Sequence, residues 1–522
     1  MKGKKIRSLF CAAALTLSLA ACGSKSTTDY SGQTVTGEIT DIDGTAVTMQ
    51  LGELSAGGMP SHDVSGSSDS GQTPPDKPDG ETQSGSSFTA GEESVTLDFA
   101  NAEITKNDES IELGDLAEGD ILTVEVGSNN TAASATVESV GGGQSFGGSG
   151  EVTQGTAATT ISEDGTYSGG SYTSTGDDEN ALRVDGAAVT LDGVTVDKSA
   201  GVTSNTEDGE FYGMNAALLA MNGATVTIKN ATVTSSAQNG NGVFSYGSGT
   251  TVNISDSTIT TTADNSGGIQ TTGGGTVNVS GGAYTSNGYN SPTVYSTADI
   301  TVKNANLTAN NSEALVIEGK NSITLEDCYV TGNMSDTKGT SSSENVHNVM
   351  IYQSMSGDAD VGTSVFSMTG GSLVGSSGDM FYITNTHCLL TLSGVNIVNN
   401  DADGALLRVV GNSASRGWGT AGSNGAQVEF AAGGQTLAGD IIVDTISNLT
   451  VTMKNGSTFT GTINIVDNAE GGTAVSDNAI VAIESGCTWN LTGNCTLTSL
   501  TNNGTINFNG YTITLADGTV LK

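Results

Sequence analysis

A run of three carboxylates and a nearby arginine is the first group of residues in this chain whose types suggest chemistry. Asp177, Asp178 and Glu179 are consecutive, and Arg183 follows four residues later. Carboxylate oxygens are the ligands that Ca²⁺ prefers, so the three acidic residues are candidate metal ligands with calcium as the candidate ion. Arg183 has an apolar residue on either side, which directs its side chain outward. The alternative is a set of solvated charges at the end of the fold.

A second candidate group lies in a glycine-rich segment near residue 416. Arg416 and Trp418 stand between small residues there, and Tyr212 lies in another such segment. An exposed tryptophan could stack on a sugar ring while a nearby arginine binds the hydroxyls. The same tryptophan could instead fold back and cover apolar surface, and Tyr212 admits the same two interpretations. The sequence therefore predicts Arg416, Trp418 and Tyr212 as candidate ligand-binding residues.

The sequence contains no convergent catalytic group. A nucleophile elbow, a phosphate-binding loop, a metalloprotease motif and a Cys/His metal spacing are all absent. Of the three histidines, His62 lies in a predicted disordered insert and His347 in a predicted loop, and His387 precedes a strand without an obvious acidic or nucleophilic partner. We therefore predict no catalytic residue, which favours a binding protein over an enzyme.

The elements that must position these residues are repeated. Eight segments share an apolar pair separated by one small polar residue, with Asn, Asp or Gly two residues later. Their starts are spaced by 37, 26, 25, 23, 23, 43 and 24 residues, which is typical of a solenoid with two large insertions. Asn, Asp and Gly tolerate the left-handed backbone of a tight bend, so this column predicts turns between two strands. The segments begin at Val189, Val226, Val252, Val277, Ile300, Ile323, Phe366 and Leu390.

Two further strands complete each repeat. An apolar residue follows each turn, as in Val233 and Leu307, so the chain enters a second strand that faces the same core. A third strand precedes each repeat, with predicted inward residues that include Leu182, Leu219 and Phe244. Three short strands per coil around a stacked apolar interior predict an all-β fold, a right-handed parallel β-helix.

This pattern resembles the pectin-lyase-like β-helix superfamily over about residues 155–522. It resembles more closely the acidic, glycine-rich surface lipoproteins of Gram-positive bacteria that are described as adhesin-like. The superfamily holds lyases, hydrolases and adhesins, so the resemblance alone does not assign an activity. Its lyases typically use clustered carboxylates for Ca²⁺ beside an Arg or Lys. That resemblance would make Arg183 the candidate base next to Asp177, Asp178 and Glu179.

The N-terminal part of the chain has a different composition. Basic residues precede an apolar stretch that ends Leu-Ala-Ala-Cys-Gly, so residues 1–21 resemble a lipoprotein signal peptide with Cys22 as the lipidated residue. Residues 22–33 would then be a tether, residues 34–140 a small β-barrel domain with a disordered insert at 55–89, and residues 141–154 a Gly/Ser linker. The β-helix would occupy residues 155–522.

Charge and cysteines limit the partners. Removing residues 1–21 takes away four basic and no acidic residues, so the formal net charge goes from −39 to −43. That charge excludes nucleic acid as a natural partner. Cys328 and Cys388 are predicted core residues, whereas Cys487 and Cys495 could pair or stay as thiols.

We therefore expect a lipid-anchored, monomeric protein at the outer face of the bacterial cell membrane. Its expected role is adhesive or carbohydrate-binding, towards an extracellular glycan or a host surface. The main alternative is a polysaccharide lyase or glycoside hydrolase that acts on an acidic glycan, and a structural spacer is a third. Insertions that line a groove with several carboxylates would favour the enzyme, whereas scattered insertions would favour adhesion.

Overall fold

The computed structural model describes residues 30–56, 86–100, 102–106, 109–111, 113, 116, 121–137, 153–334, 344–354 and 359–522. The predicted signal peptide, Cys22, most of the tether, and residues 57–85 of the predicted insert lie outside this set. The chain divides into two compact units, residues 1–141 and 142–522. No helix among the described residues is long and apolar enough to span a membrane.

The first unit is a seven-stranded sheet around an apolar core. A hairpin pairs Thr34–Asp43 with Ala46–Ala56 in antiparallel register. The described strands reach into both ends of the predicted insert, since one runs to Ala56 and the next begins at Ser86. An isolated bridge links Asp98 to Thr131, beside the short 3-10 helix Ser128–Asn130. The strands are Thr34–Asp43, Ala46–Ala56, Ser86–Asp98, Glu103–Lys106, Glu109–Ile111, Ile121–Val126 and Ala132–Val137.

The second unit is a right-handed parallel β-helix of three main sheets, which the chain visits in the same order in each coil. Sheet 1 has twelve parallel strands and carries the residues discussed below. Its strands are Thr160–Ile161, Leu182–Asp185, Leu218–Met221, Val243–Tyr246, Ile269–Thr272, Val294–Ser296, Leu315–Glu318, His347–Tyr352, Asp379–Thr384, Leu407–Val409, Ile441–Asp444 and Ile463–Val466.

Sheet 2 follows sheet 1 in each coil and has thirteen strands. They are Gly165–Ser168, Ala188–Asp192, Thr225–Lys229, Thr251–Ser255, Thr276–Ser280, Asp299–Lys303, Ser322–Glu326, Thr363–Thr369, His387–Ser393, Gln427–Gly433, Asn448–Lys454, Ala479–Ile483 and Ser499–Asn502.

Sheet 3 closes each coil as far as residue 399, and in later coils a separate four-stranded sheet that begins with Thr436–Ala438 follows sheet 2. The strands of sheet 3 are Ser171–Ser174, Thr195–Lys198, Thr232–Ser235, Thr258–Thr261, Ala283–Ser286, Asn306–Ala309, Tyr329–Met334, Ser372–Gly375 and Asn396–Asn399, with Asn311–Ser312 paired at its side. Smaller sheets contain Thr436–Ala438, Thr458–Thr460, Thr488–Asn490 and Thr505–Asn507; Cys495–Leu497, Ile513–Leu515 and Val520–Leu521; and Thr156–Ala157 with Glu179–Asn180.

The predicted turn column is confirmed. Its eight residues all have a positive φ, between 45° and 72°, which is the left-handed region that Gly, Asn and Asp tolerate. The apolar pair of each repeat is buried on the inner face of sheet 2. The column comprises Gly193, Asn230, Asp256, Gly281, Asn304, Asp327, Gly370 and Gly394.

The predicted register of sheet 1 is wrong by one residue in two coils. Leu182 pairs with Leu218 and not with Leu219, and Leu218 pairs with Val243 and not with Phe244. Leu219 and Phe244 therefore face outward, yet both are completely buried. A shift of one residue reverses the face of every side chain in a strand. Burial on both faces removed the alternation that would have indicated the correct register.

The four cysteines of the β-helix are buried thiols. Cys328 and Cys388 lie in the core, which confirms the prediction for both. Cys487 and Cys495 are also buried and are not bonded to each other, so the alternative of a disulfide between them is wrong.

Candidate ligand-binding face on sheet 1

The outward face of sheet 1 is unusual because apolar, aromatic and charged side chains follow one another along a single column. Cross-strand register places each of them directly beside the next. Two insertions cover parts of this column, one between sheets 3 and 1 near residue 206 and one between sheets 1 and 2 near residue 418. The column runs Leu219, Phe244, Gln270, Tyr295, Val316, Met350, Tyr382 and Arg408.

The first insertion carries helix α1, Thr206–Tyr212. Asn205 caps its start by accepting a hydrogen bond from the Glu207 backbone N–H, and Gly213 ends it with a φ of 77°. Side chains of the β-helix then hold the helix carbonyls in place. Asn241 donates to the Gly209 carbonyl at 3.1 Å, and Gln270 donates to the Glu210 carbonyl. These bonds hold α1, and with it Glu210, in a fixed position over sheet 1.

The insertion of residues 411–425 lies over the same face. Trp418 is only 7% exposed and packs on Tyr352 with ring centroids 5.0 Å apart. The Trp418 carbonyl accepts hydrogen bonds from the side-chain amides of Asn412 and Asn424, at 3.0 and 2.9 Å. Arg416 is exposed, and its guanidinium carbon lies 5.1 Å from the centroid of the Trp418 ring. The loop therefore holds the Trp418 ring against Tyr352, with the Arg416 guanidinium over the ring.

A cavity of about 100 Å³, here called the first cavity, lies between the two insertions. The column residues from Gln270 to Met350 form its floor, while α1 and the 411–425 insertion form its walls. Glu210 reaches it from α1, and its carboxylate has no hydrogen-bond or ion-pair partner among the described residues. Burial, and then the neighbouring Glu207 and Glu318, raise the pKa of Glu210 to about 7. The cavity thus combines aromatic walls with a carboxyl group that takes up a proton near neutral pH.

A second carboxyl group lies beneath this cavity. Glu318 is completely buried, and its Oε2 accepts hydrogen bonds from the hydroxyl groups of Tyr295 and Tyr352, the latter at 2.8 Å. Its Oε1 accepts the backbone N–H of Ser354 at 3.3 Å. Burial raises the pKa of Glu318 against the opposing effect of these bonds. Glu318 therefore fixes the two tyrosine rings and is itself fully occupied.

A third carboxyl group, Glu313, lines the first cavity beside a buried histidine. Its Oε2 accepts a bond from the Ser312 hydroxyl at 2.7 Å, and its Oε1 lies 3.5 Å from Nδ1 of His347. The His347 ring stacks on Tyr382 at 5.1 Å, and burial lowers the pKa of His347. The prediction of a loop at His347 is wrong, because the residue begins the strand His347–Tyr352, beside Glu313 of the preceding coil.

The three residues predicted to bind ligand have different places in the structure. Arg416 and Trp418 both line the first cavity. Trp418 is nevertheless buried, which is the alternative in which the ring folds back over the coil. Tyr212 packs edge-on against Tyr246 at 5.6 Å, so its neighbours Glu210 and Phe211 line the cavity and Tyr212 does not.

The predicted metal ligands have structural contacts. Asp177 accepts the backbone N–H of Val202 at 2.9 Å, Asp178 that of Ser204 at 2.6 Å, and Glu179 the Ser174 hydroxyl at 2.6 Å. Among the described residues, no group of three or more His, Cys, Asp or Glu side chains is arranged to hold a metal ion.

A lysine already places positive charge beside these carboxylates. The buried ammonium of Lys198 lies 3.2 Å from the Ser174 hydroxyl, and burial lowers its pKa while Glu179, Asp177 and Asp178 raise it. Calcium at this place stays a prediction.

Arg183 binds the backbone of residues 154–156 at the first coil. Its Nη2 donates to the carbonyls of Gln154, Gly155 and Thr156 at 2.7 to 3.1 Å, and to Oδ1 of Asn180. Its side chain is therefore engaged with the backbone and lies on the first coils, several coils before the first cavity. The geometry gives no support to a role for Arg183 as a base.

Sequence reasoning missed Glu210, Tyr295 and Tyr352. A usable signal existed for the tyrosines, because Tyr295 directly follows the inward residue Val294 and Tyr352 directly follows the inward residue Ile351. Glu210 had no such signal, since its place depends on how the α1 insertion folds back onto the sheet.

Comparison with known proteins agrees with this architecture. Residues 180–354 match the family model described as the right handed beta helix region. No curated protein and no solved structure matches the chain. The match covers the coils that carry α1 and most of the floor of the first cavity, and it supports the resemblance to the pectin-lyase-like superfamily. Together with the stacked sheets, it identifies the second unit as a right-handed parallel β-helix.

Proposed function

We propose that this chain is a lipid-anchored protein of the bacterial cell surface that binds a glycan in the first cavity without cleaving it. The anchor is Cys22, which lies outside the described residues, and the glycan belongs to an extracellular polymer or a host surface. The β-helix then serves as a rigid support that holds the binding face away from the membrane. We propose that the chain acts as a monomer.

The lining of the first cavity, which combines the aromatic side chains of Tyr295, Tyr352 and Trp418 with Arg416 and Glu210, is the observation that carries this proposal. Sugar rings bind on aromatic faces, and a few polar groups around them provide specificity. Arg416, which lies over the Trp418 ring, and Glu210 supply a donor and an acceptor in the same lining. Because Glu318 and the two asparagines hold these aromatic residues in place, little side-chain freedom would be lost on binding.

The carboxyl groups argue against cleavage. A glycosidase normally needs two carboxyl groups that both reach the scissile bond. Glu318 is enclosed by two tyrosines and a backbone N–H. Glu313 accepts a hydrogen bond from Ser312 through one oxygen, and its other oxygen lies 3.5 Å from Nδ1 of His347 without a hydrogen bond. Of the two described carboxyl groups that line the first cavity, Glu313 is buried and bonded to Ser312, whereas Glu210 can approach a ligand with both oxygens, which suits binding better than hydrolysis.

A glycan array probed with the purified chain tests the proposal. Arg416→Ala and Trp418→Ala should each weaken the strongest signals by roughly tenfold or more, because each removes a direct contact of about 1.4 kcal/mol or more. Lys303→Ala is the matched control, since Lys303 is an exposed cation on sheet 2 that pairs with Glu326. Equal binding by all three variants would contradict the proposed site.

Glycoside hydrolysis is a second candidate, which two observations favour. Glu210 has a pKa of about 7, a value suited to a general acid, and the insertions converge on one face instead of being scattered. Incubation with the polysaccharides bound on the array should release no new reducing ends. Release of reducing ends that Glu210→Gln abolishes, with binding retained, would establish the hydrolase.

The anchor is tested separately. Cys22→Ser should move the chain from the detergent phase to the aqueous phase and release it from cells into the medium, because the acylated residue is lost. Unchanged partitioning of this variant would contradict the anchor and leave the glycan site untouched.

A further inference from the structure

A second cavity, of about 190 Å³, continues the same face of sheet 1. Met350 lines the first cavity, and the next two residues of the outward column, Tyr382 and Arg408, line the second. The 411–425 insertion contributes to both, with Arg416 and Trp418 on one side and Asn412 and Ser413 on the other. One loop therefore forms a shared wall between two neighbouring cavities.

Two side chains of the second cavity each have one buried polar atom without a hydrogen bond. Asp444 is 1% exposed; its Oδ2 accepts the Gly411 N–H at 2.8 Å and the Asn468 side-chain amide, but its Oδ1 has no hydrogen bond. The Tyr382 hydroxyl lies near the Thr384 side chain yet also lacks a hydrogen bond of normal geometry. A buried polar atom without a partner costs free energy, so such atoms point to a group that binds them.

The cavity offers donors as well as acceptors. Nε and Nη2 of Arg408 bind Asp379, while Nη1 has no hydrogen-bond partner among the described residues. The exposed carboxylates of Asp467 and Glu470 stand at the rim. An anion would meet these carboxylates, and a bare metal ion would find no convergent set of ligands in the described part of the chain. Hydroxyl groups, each of which both donates and accepts, fit this mixture.

We infer that the second cavity binds a neutral sugar unit of the same glycan that occupies the first cavity. The inference rests on the proposed function and extends it to a linear, hydroxyl-rich glycan that lies along the outward column. A cavity of this size is smaller than the 300 Å³ or more typical of sites for drug-sized ligands, so it holds one ring. Asp444 accepts a hydroxyl of that ring, and Tyr382 and Arg408 donate to it.

The glycan array, repeated with Asp444→Asn and Tyr382→Phe, tests this inference. In Asp444→Asn the amide oxygen can keep the bonds to Gly411 and Asn468, while an NH₂ group replaces the unpartnered oxygen. We expect each variant to weaken binding of the longer glycans by roughly tenfold and to leave the shortest bound glycans unchanged. Asp197→Asn, which alters a carboxylate bonded to Thr234 on sheet 3, is the control.

The outcomes separate the two proposals. Unchanged binding of all glycans by both variants, with thermal unfolding like that of the unaltered chain, would overturn the second subsite and leave the first. Loss of binding only in the Arg416 and Trp418 variants would do the same. Sensitivity to Asp444→Asn without sensitivity to Arg416→Ala or Trp418→Ala would contradict the shared glycan, and an array with no signal would contradict both.

Discussion

Sheets 1 and 3 of the β-helix contribute inward residues to one core, but their outward faces differ in residue type and in exposure. On sheet 3, five threonines stack in consecutive strands and stay partly exposed. On sheet 1, the equivalent column is apolar, aromatic or charged, and insertions cover much of it. The stacked threonines are Thr234, Thr260, Thr285, Thr308 and Thr331. The difference shows that the repeat determines the coil, whereas the insertions determine which outward face is covered and encloses cavities.

The largest expected effect is on the covered face. Phe244→Ala should lower the free energy of unfolding by about 3 to 5 kcal/mol although Phe244 faces outward, because the ring is completely buried against Leu219 and Ala216. Chemical denaturation of the purified chain measures this. A loss below about 1 kcal/mol would mean that this face does not form a second core.

The turn that joins sheets 2 and 3 should matter less. Asn304→Val should cost about 1 to 2 kcal/mol, because a β-branched residue is strained at the φ of 53°. Asn304→Gly is the matched control and should be nearly neutral in the same denaturation experiment. Equal stability of the two variants would show that the backbone at this turn is not constrained.

A smaller, pH-dependent effect should appear at Glu210. The folded chain holds the Glu210 proton more tightly than the unfolded chain, since the pKa rises from 4.5 to about 7. The contribution of Glu210 to the free energy of unfolding therefore falls as the pH rises from 4.5 through 7. The melting temperature of Glu210→Gln should exceed that of the unaltered chain above pH 7 and equal it below pH 4.5.

The matched control for this pH dependence is Glu163→Gln, which alters an exposed glutamate on the first coil. Its melting temperature should follow that of the unaltered chain at every pH. A difference for Glu210→Gln that does not change with pH would contradict the raised pKa.

The smallest effect is expected on the uncovered face. Thr308→Ala should change the free energy of unfolding by less than about 0.5 kcal/mol, because surface substitutions away from special features have little effect. A loss comparable to that of Phe244→Ala would remove the contrast between the two faces.

Local backbone chemistry made the coil predictable from the sequence. The turn residues were found because Asn, Asp and Gly are the types that a left-handed bend accepts, and because a buried apolar pair precedes each of them at a fixed spacing. The register of Leu219 and Phe244 was missed because α1 buries their outward side chains, which cancels the alternation of a strand with one solvent face.

The candidate site was less predictable because its residues come from distant parts of the chain. Trp418 and Arg416 attracted attention as rare residue types in a glycine-rich loop, but Glu210 is ordinary in its local sequence. Their meeting depends on the stacking of coils and on side chains such as Gln270, which bind the α1 carbonyls. No short-range pattern encodes that arrangement.

The stacking of coils also has a kinetic consequence. Each strand of sheet 1 pairs only with the strands of the preceding and following coils, so partial opening should begin at the ends and progress inward. The first cavity is built on the fifth to eighth of twelve strands. Amide hydrogens around Tyr295 and Val316 should therefore exchange with solvent later than those near Ile161 or Ile463, and the first cavity would survive fraying that removes the outer coils.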